Sequence, residues 1–146
     1  MKTTLILVLL IVLMPLTAIT DGREKELHIT SLTIQFNKTD AIFTVNYDFD
    51  KLSRIYLLML GSKSLEPKVK SVFQNFDYEV IKIDQDKAIL RVKNISRLNK
   101  GYYLHDSQKF GETIDTVYIS DSSNPKTREY YNMNATPNYF YKSQYQ

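Results

Sequence analysis

The sequence has no cysteine and no tryptophan, two histidines, and four each of glycine and proline among 146 residues. Without thiols there can be no cysteine nucleophile, zinc–thiolate centre or disulfide scaffold, and no lipid attached at a cysteine after an export signal. Two histidines, His28 and His105, are too few for a three-histidine metal centre. Gly22, Gly61, Gly101 and Gly111 form neither a dinucleotide fingerprint nor a phosphate-cradling loop. An excess of one charge is missing as well: 19 basic and 16 acidic side chains are interspersed, with no basic stripe of the kind phosphate backbones attract. These absences leave no expected cofactor or metal site and make nucleic acid an unexpected partner.

One long apolar run stands out against this background. Met1-Lys2 is followed by Leu5 to Met14 without interruption, then Pro15, and the first acidic residue is Asp21. A basic start, a short apolar stretch and small residues before the mature chain make an export signal. Ten apolar residues are short of the ~20 that a spanning helix needs. Ala18-Ile19-Thr20 offers a cut before Asp21, although Thr20 and Leu16 fit a signal peptidase poorly. A cleaved signal peptide is preferred and an uncleaved N-terminal anchor stays open. The chain is thus expected to be extracytoplasmic, secreted or held at the membrane by this segment. The expected division is 1–20 signal or anchor, 21–126 globular domain, and 127–146 a tyrosine-rich arm.

Within the globular part, periodicity of two predicts strands. Leu27 and Ile29 share one phase and Leu32, Ile34 and Phe36 the other, which predicts a bulge near Ser31. Ala41, Phe43, Val45, Tyr47 and Phe49 alternate after the polar turn at residues 37–40, completing a hairpin. The continuous apolar stretch 54–60 fits a buried strand or a helix, and its shortness favours a strand. Leu65, Val69, Val72, Phe73 and Phe76 form a helical stripe, with Ser64 as N-cap and Pro67 in the first turn. A second hairpin is expected over 78–93, a loop over 94–101, and short strands over 102–105 and 113–119.

The terminal segment holds Tyr130, Tyr131, Tyr139, Phe140, Tyr141 and Tyr145, with Asn132, Asn134, Pro137 and Asn138 opposing a helix. Packing back across the sheet is the first expectation for this arm, with a sticky or ligand-stacking surface and disorder as alternatives. Tyr139, Phe140, Tyr141 and Tyr145 are the contact candidates, because aromatic rings offer large contact area at small entropic cost.

Chemistry is sparse elsewhere. His105-Asp106-Ser107 names the members of a hydrolase triad, but consecutive residues of an extended chain point to opposite faces. Asp48 and Asp50, like Asp84 and Asp86, occupy turns without the ligand series that calcium requires. Asn37, Asn94 and Asn134 open glycosylation triplets, of which about one or two arise by chance in this composition. Pro137 after the third would hinder its modification.

The expected fold is α+β, a mainly antiparallel sheet of six or seven strands with one amphipathic helix; a β-sandwich is the alternative. The expected role is non-enzymatic: an exported cell-surface or secreted domain that binds a protein or glycan, or associates with itself. The competing expectation is a small extracellular carboxylate-dependent hydrolase.

Overall fold

The computed structural model describes residues 27–124 and 126–142. The export segment and Tyr145 lie outside them. Most of the described chain is strand. The elements are β1 (Leu27–Asn37), β2 (Asp40–Phe49), α1 (Lys51–Leu60), a 3-10 turn (Ser62–Leu65), α2 (Glu66–Phe73), β3 (Tyr78–Ile83), β4 (Lys87–Val92), β5 (Arg97–Asn99), β6 (Tyr102–His105), β7 (Lys109–Asp121), β8 (Arg128–Ala135) and β9 (Tyr139–Lys142). Six strands form a large sheet in the order β3-β4-β2-β1-β7-β8, and three form a small sheet, β5-β6-β9. Every neighbouring pair is antiparallel except β1 with β7, so the large sheet is mixed.

The alternation read from the sequence sets which side chains enter the core. The register of β1 on β2 shifts between Ile29 and Ser31, where the bulge was expected. Leu27, Ile29, Leu32, Ile34 and Phe36 are all buried as a result, and Ala41, Phe43, Val45 and Tyr47 bury the facing positions of β2. The stripe Leu65, Val69, Val72, Phe73 and Phe76 is buried too. Its rings pack edge-on against Phe43, with centroids 5.9 Å (Phe73) and 5.4 Å (Phe76) away, and Phe110 of β7 closes the group. Helices and small sheet therefore cover the same face of the large sheet.

Residues 51–60 are a helix, which corrects the strand expected over 54–60. Local capping decides it. The Asp50 carboxylate accepts the Ser53 N–H at 2.6 Å, and Gly61, at φ 80°, closes the other end by donating its N–H to the Leu57 carbonyl at 2.8 Å. The run between them holds four leucines and a methionine, both good helix formers. A second difference is β5, which lies inside the expected loop. The two-residue turn Lys100-Gly101 has positive φ at both positions, 48° and 83°, matching the twist of a tight hairpin.

Candidate functional site

The terminal arm is divided by the alternation of β9. Pairing Tyr103 with Tyr141 and His105 with Tyr139 turns Tyr139 and Tyr141 toward the large sheet and Phe140 and Lys142 away from it. Phe36 is the point of contact, its ring 5.3 Å from those of both Tyr139 and Tyr141 and 5.1 Å from that of His105. Tyr103 stacks on Tyr141 at 5.4 Å. The buried hydroxyls are satisfied. That of Tyr139 donates to Asp121 Oδ2 at 2.7 Å, and that of Tyr141 donates to the Lys38 carbonyl at 2.5 Å and bonds the Ser96 hydroxyl at 3.1 Å. The Arg128 guanidinium sits 5.1 Å from the centre of the Tyr139 ring.

These surroundings set the ionisation of the seam. Burial, reinforced by the Asp121 carboxylate, pushes the Tyr139 phenol well above its ordinary range, and burial pushes that of Tyr141 up to about 12. Asp121 shifts the other way. Burial alone would raise its carboxyl, but donors from Ser123, Tyr139 and Asn124 hold it below the usual carboxylate range. Both tyrosines thus remain neutral donors across the physiological range.

The four contact candidates therefore do not share a face. Tyr139 and Tyr141 are core residues, correcting their expected role as contacts, and Tyr145 lies outside the described residues. Phe140 alone of the four is shown outward, at 69% exposure. On the outer face of the small sheet it stands beside Leu104 and Arg97, and the next row holds Asn99, Tyr102 and Lys142. Tyr102 and Leu104, which sequence reasoning did not single out, become neighbours of Phe140 only through strand pairing. Two aromatic rings and a leucine thus lie together on this face, with Lys142 at its edge and Arg97 paired with Asp106.

His105 lies behind this sheet and is buried. Its Nδ1–H donates to the Ile95 carbonyl at 2.8 Å, which leaves Nε2 to accept from the Thr136 hydroxyl at 2.7 Å. The same hydroxyl accepts the Gln108 N–H at 2.9 Å. No triad forms: Asp106 pairs with Arg97, and the Ser107 N–H donates to Asn138. Burial lowers the His105 pKa, partly offset by the Ile95 carbonyl and by Asp106. A base whose pKa is lower folded than unfolded binds more protons when unfolded, so stability is complete above about pH 6.5 and declines as the pH falls below it. Urea midpoints between pH 7 and 5 should fall with acidification by more in the native protein than in His105→Gln; equal slopes would show that His105 does not contribute.

The remaining candidates serve the fold. Asp50 caps α1, while Asp48 accepts the Phe49 N–H and pairs with Arg54 at 3.3 Å. Both line an open cleft of about 410 Å³ with His28, Thr30 and Phe49, so its carboxylates already have partners. In the second acidic turn Asp84 pairs with Lys82 at 2.7 Å, and the Asp84 and Asp86 carbonyls both accept from Tyr47. Among the described residues no group of three acidic or histidine side chains is placed to hold a metal ion. Asn37, Asn94 and Asn134 are all exposed. Ser96 and Thr136, which complete two of the triplets, are buried and bond Tyr141 and His105, so folding accounts for these hydroxyls without a glycan. Compared with known proteins, the chain matches no family model, no curated protein and no solved structure.

Proposed function

We propose that this protein is an exported, non-enzymatic binding domain, secreted or anchored by its N-terminal segment, whose contact surface is the outer face of the small sheet. The observation that carries this reading is Phe140 at 69% exposure, directly opposite Leu104, with Tyr102 exposed at 46% in the adjoining row. A ring this exposed is of no use to the core, and burying it against a partner would contribute about 2 kcal/mol. The partner is a protein or glycan at the cell surface, or a second copy of the chain. Lys142 favours an acidic group at the edge of the apolar contact, the Arg97 charge being already paired with Asp106.

The double variant Phe140→Ser, Tyr102→Ser is expected to weaken binding to cells of the source organism, or self-association in sedimentation, at least tenfold. Its thermal midpoint should stay within a few degrees of the native value, because neither ring is buried. Unchanged binding would defeat the proposal. So would reproducible turnover of glycoside, ester or peptide substrates that a single Asp→Asn or Glu→Gln substitution abolishes.

A further inference from the structure

Helix α1 carries an apolar stripe that the core does not use. Ser53 and Leu57 face inward, whereas Ile55, Leu58 and Met59 are 55%, 64% and 79% exposed. Together with Lys51 they occupy positions i, i+4, i+7 and i+8, a single line along a helix, and exposed Leu60 extends the patch past it. Contiguous exposed apolar surface of this kind marks a contact.

Two observations identify what covers it. The first is charge. From Lys51 to Lys63 the chain carries Lys51, Arg54 and Lys63 and no acidic residue. At the start of the helix Asp48 pairs with Arg54 and Asp50 caps Ser53, and Glu66 opens the next helix, so the basic character of this rim rests on Lys51 and Lys63. An apolar face of Ile55, Leu58, Met59 and Leu60 with lysines at both ends suits a helix lying in the interface of an anionic bilayer. Among the described residues no helix is long and apolar enough to cross a membrane.

The second observation is where the chain enters the domain. Leu27 lines a small cavity with Leu57, Leu65 and Lys68, so residues 1–26 join the domain beside α1. The apolar run Leu5–Met14 ends thirteen residues before Leu27, a separation of at most about 47 Å even if fully extended. An anchor formed by that run would keep α1 within this distance of the bilayer.

We propose that α1 is a peripheral membrane contact, with Ile55, Leu58, Met59 and Leu60 entering the interface of an anionic phospholipid bilayer and Lys51 and Lys63 among its headgroups. This surface is separate from the small-sheet face, and the two lie at opposite ends of β1. That strand runs from Leu27 beside α1 to Phe36 beneath β9, about 30 Å away. With α1 on the membrane, the face bearing Phe140 is held away from it and open to a partner.

The absence of cysteine makes the test direct. Natively processed protein with Met59→Cys is labelled with a polarity-sensitive fluorophore and mixed with vesicles of phosphatidylcholine and phosphatidylglycerol. The label should shift to the blue and be quenched by brominated lipid, with partition at least tenfold weaker for pure phosphatidylcholine. Adding Ile55→Ser and Leu58→Ser should abolish the shift, and a label at Asn99→Cys should not respond. A Met59 label that stays water-like on anionic vesicles would overturn the proposal. A blue shift that grows with protein concentration in the absence of lipid would also overturn it, assigning the stripe to a second copy of the chain.

Discussion

Phe36→Ala is expected to destabilise the protein by about 4 kcal/mol, the cost of removing a fully buried ring from a core that cannot collapse around the void. Phe36 has no exposed surface and is in ring contact with His105, Tyr139 and Tyr141, so its loss removes the centre of the seam between the sheets. The damage should be local as well as global. Amide exchange in β6 and β9 should accelerate more than in β2 and β4, because the small sheet is held to the large one through these rings. Phe140→Ala removes the same group from an exposed position and should cost less than about 0.5 kcal/mol. Similar losses for the two variants, measured by urea unfolding, would contradict the assignment of inner and outer rings.

Gly111→Ala is expected to cost about 3 kcal/mol, for a steric reason. A Cβ at this position would lie 2.1 Å from the Ser71 carbonyl oxygen and 3.0 Å from the Ser71 carbonyl carbon and from Val72 Cα. All three are backbone atoms of α2, so no side-chain rotation relieves the clash. Either β7 or the helix must move, and Val72 and Phe73, buried beside it, would move too. Gly61→Ala is the informative comparison. A Cβ there meets nothing within 4 Å, and the strain comes only from its φ of 80°, worth roughly 1 kcal/mol. If Gly111→Ala proves no costlier than Gly61→Ala in thermal or urea unfolding, the close approach of strand and helix is misplaced.

Both sites bear on what the sequence could reveal. The phase change at Ser31, the β1-β2 hairpin and the stripe from Leu65 to Phe76 were legible because each depends on residues close in the chain. Helix α1 was not, since its apolar run fits strand and helix equally and the outcome rests on the Asp50 and Gly61 caps. Those caps, with Lys51, Ile55, Leu58 and Met59 in helical spacing, were the available signal. The parallel pairing of β1 with β7 brings together positions as distant as Ser31 and Thr116, which no local pattern encodes. The same is true of the close approach at Gly111.

The terminal arm falls between these cases. Its aromatic richness sets the segment apart, but composition alone groups Tyr139, Phe140 and Tyr141 as equivalents. Strand alternation separates them, and it applies only once β9 is known to pair with β6. The neighbours of Phe140 were hidden for the same reason, because Tyr102 and Leu104 come from a different part of the chain.

The most direct measurement compares Tyr139→Ser with Phe140→Ser, following thermal unfolding and cell-surface binding or self-association on the same samples. Tyr139→Ser should lower stability by about 3 kcal/mol, through loss of a buried ring and of its hydrogen bond to Asp121. Phe140→Ser should leave the unfolding transition nearly unchanged and reduce association at least tenfold. A Phe140→Ser protein that unfolds as early as Tyr139→Ser, or that associates as tightly as the native chain, would contradict a binding face on the outer side of the small sheet.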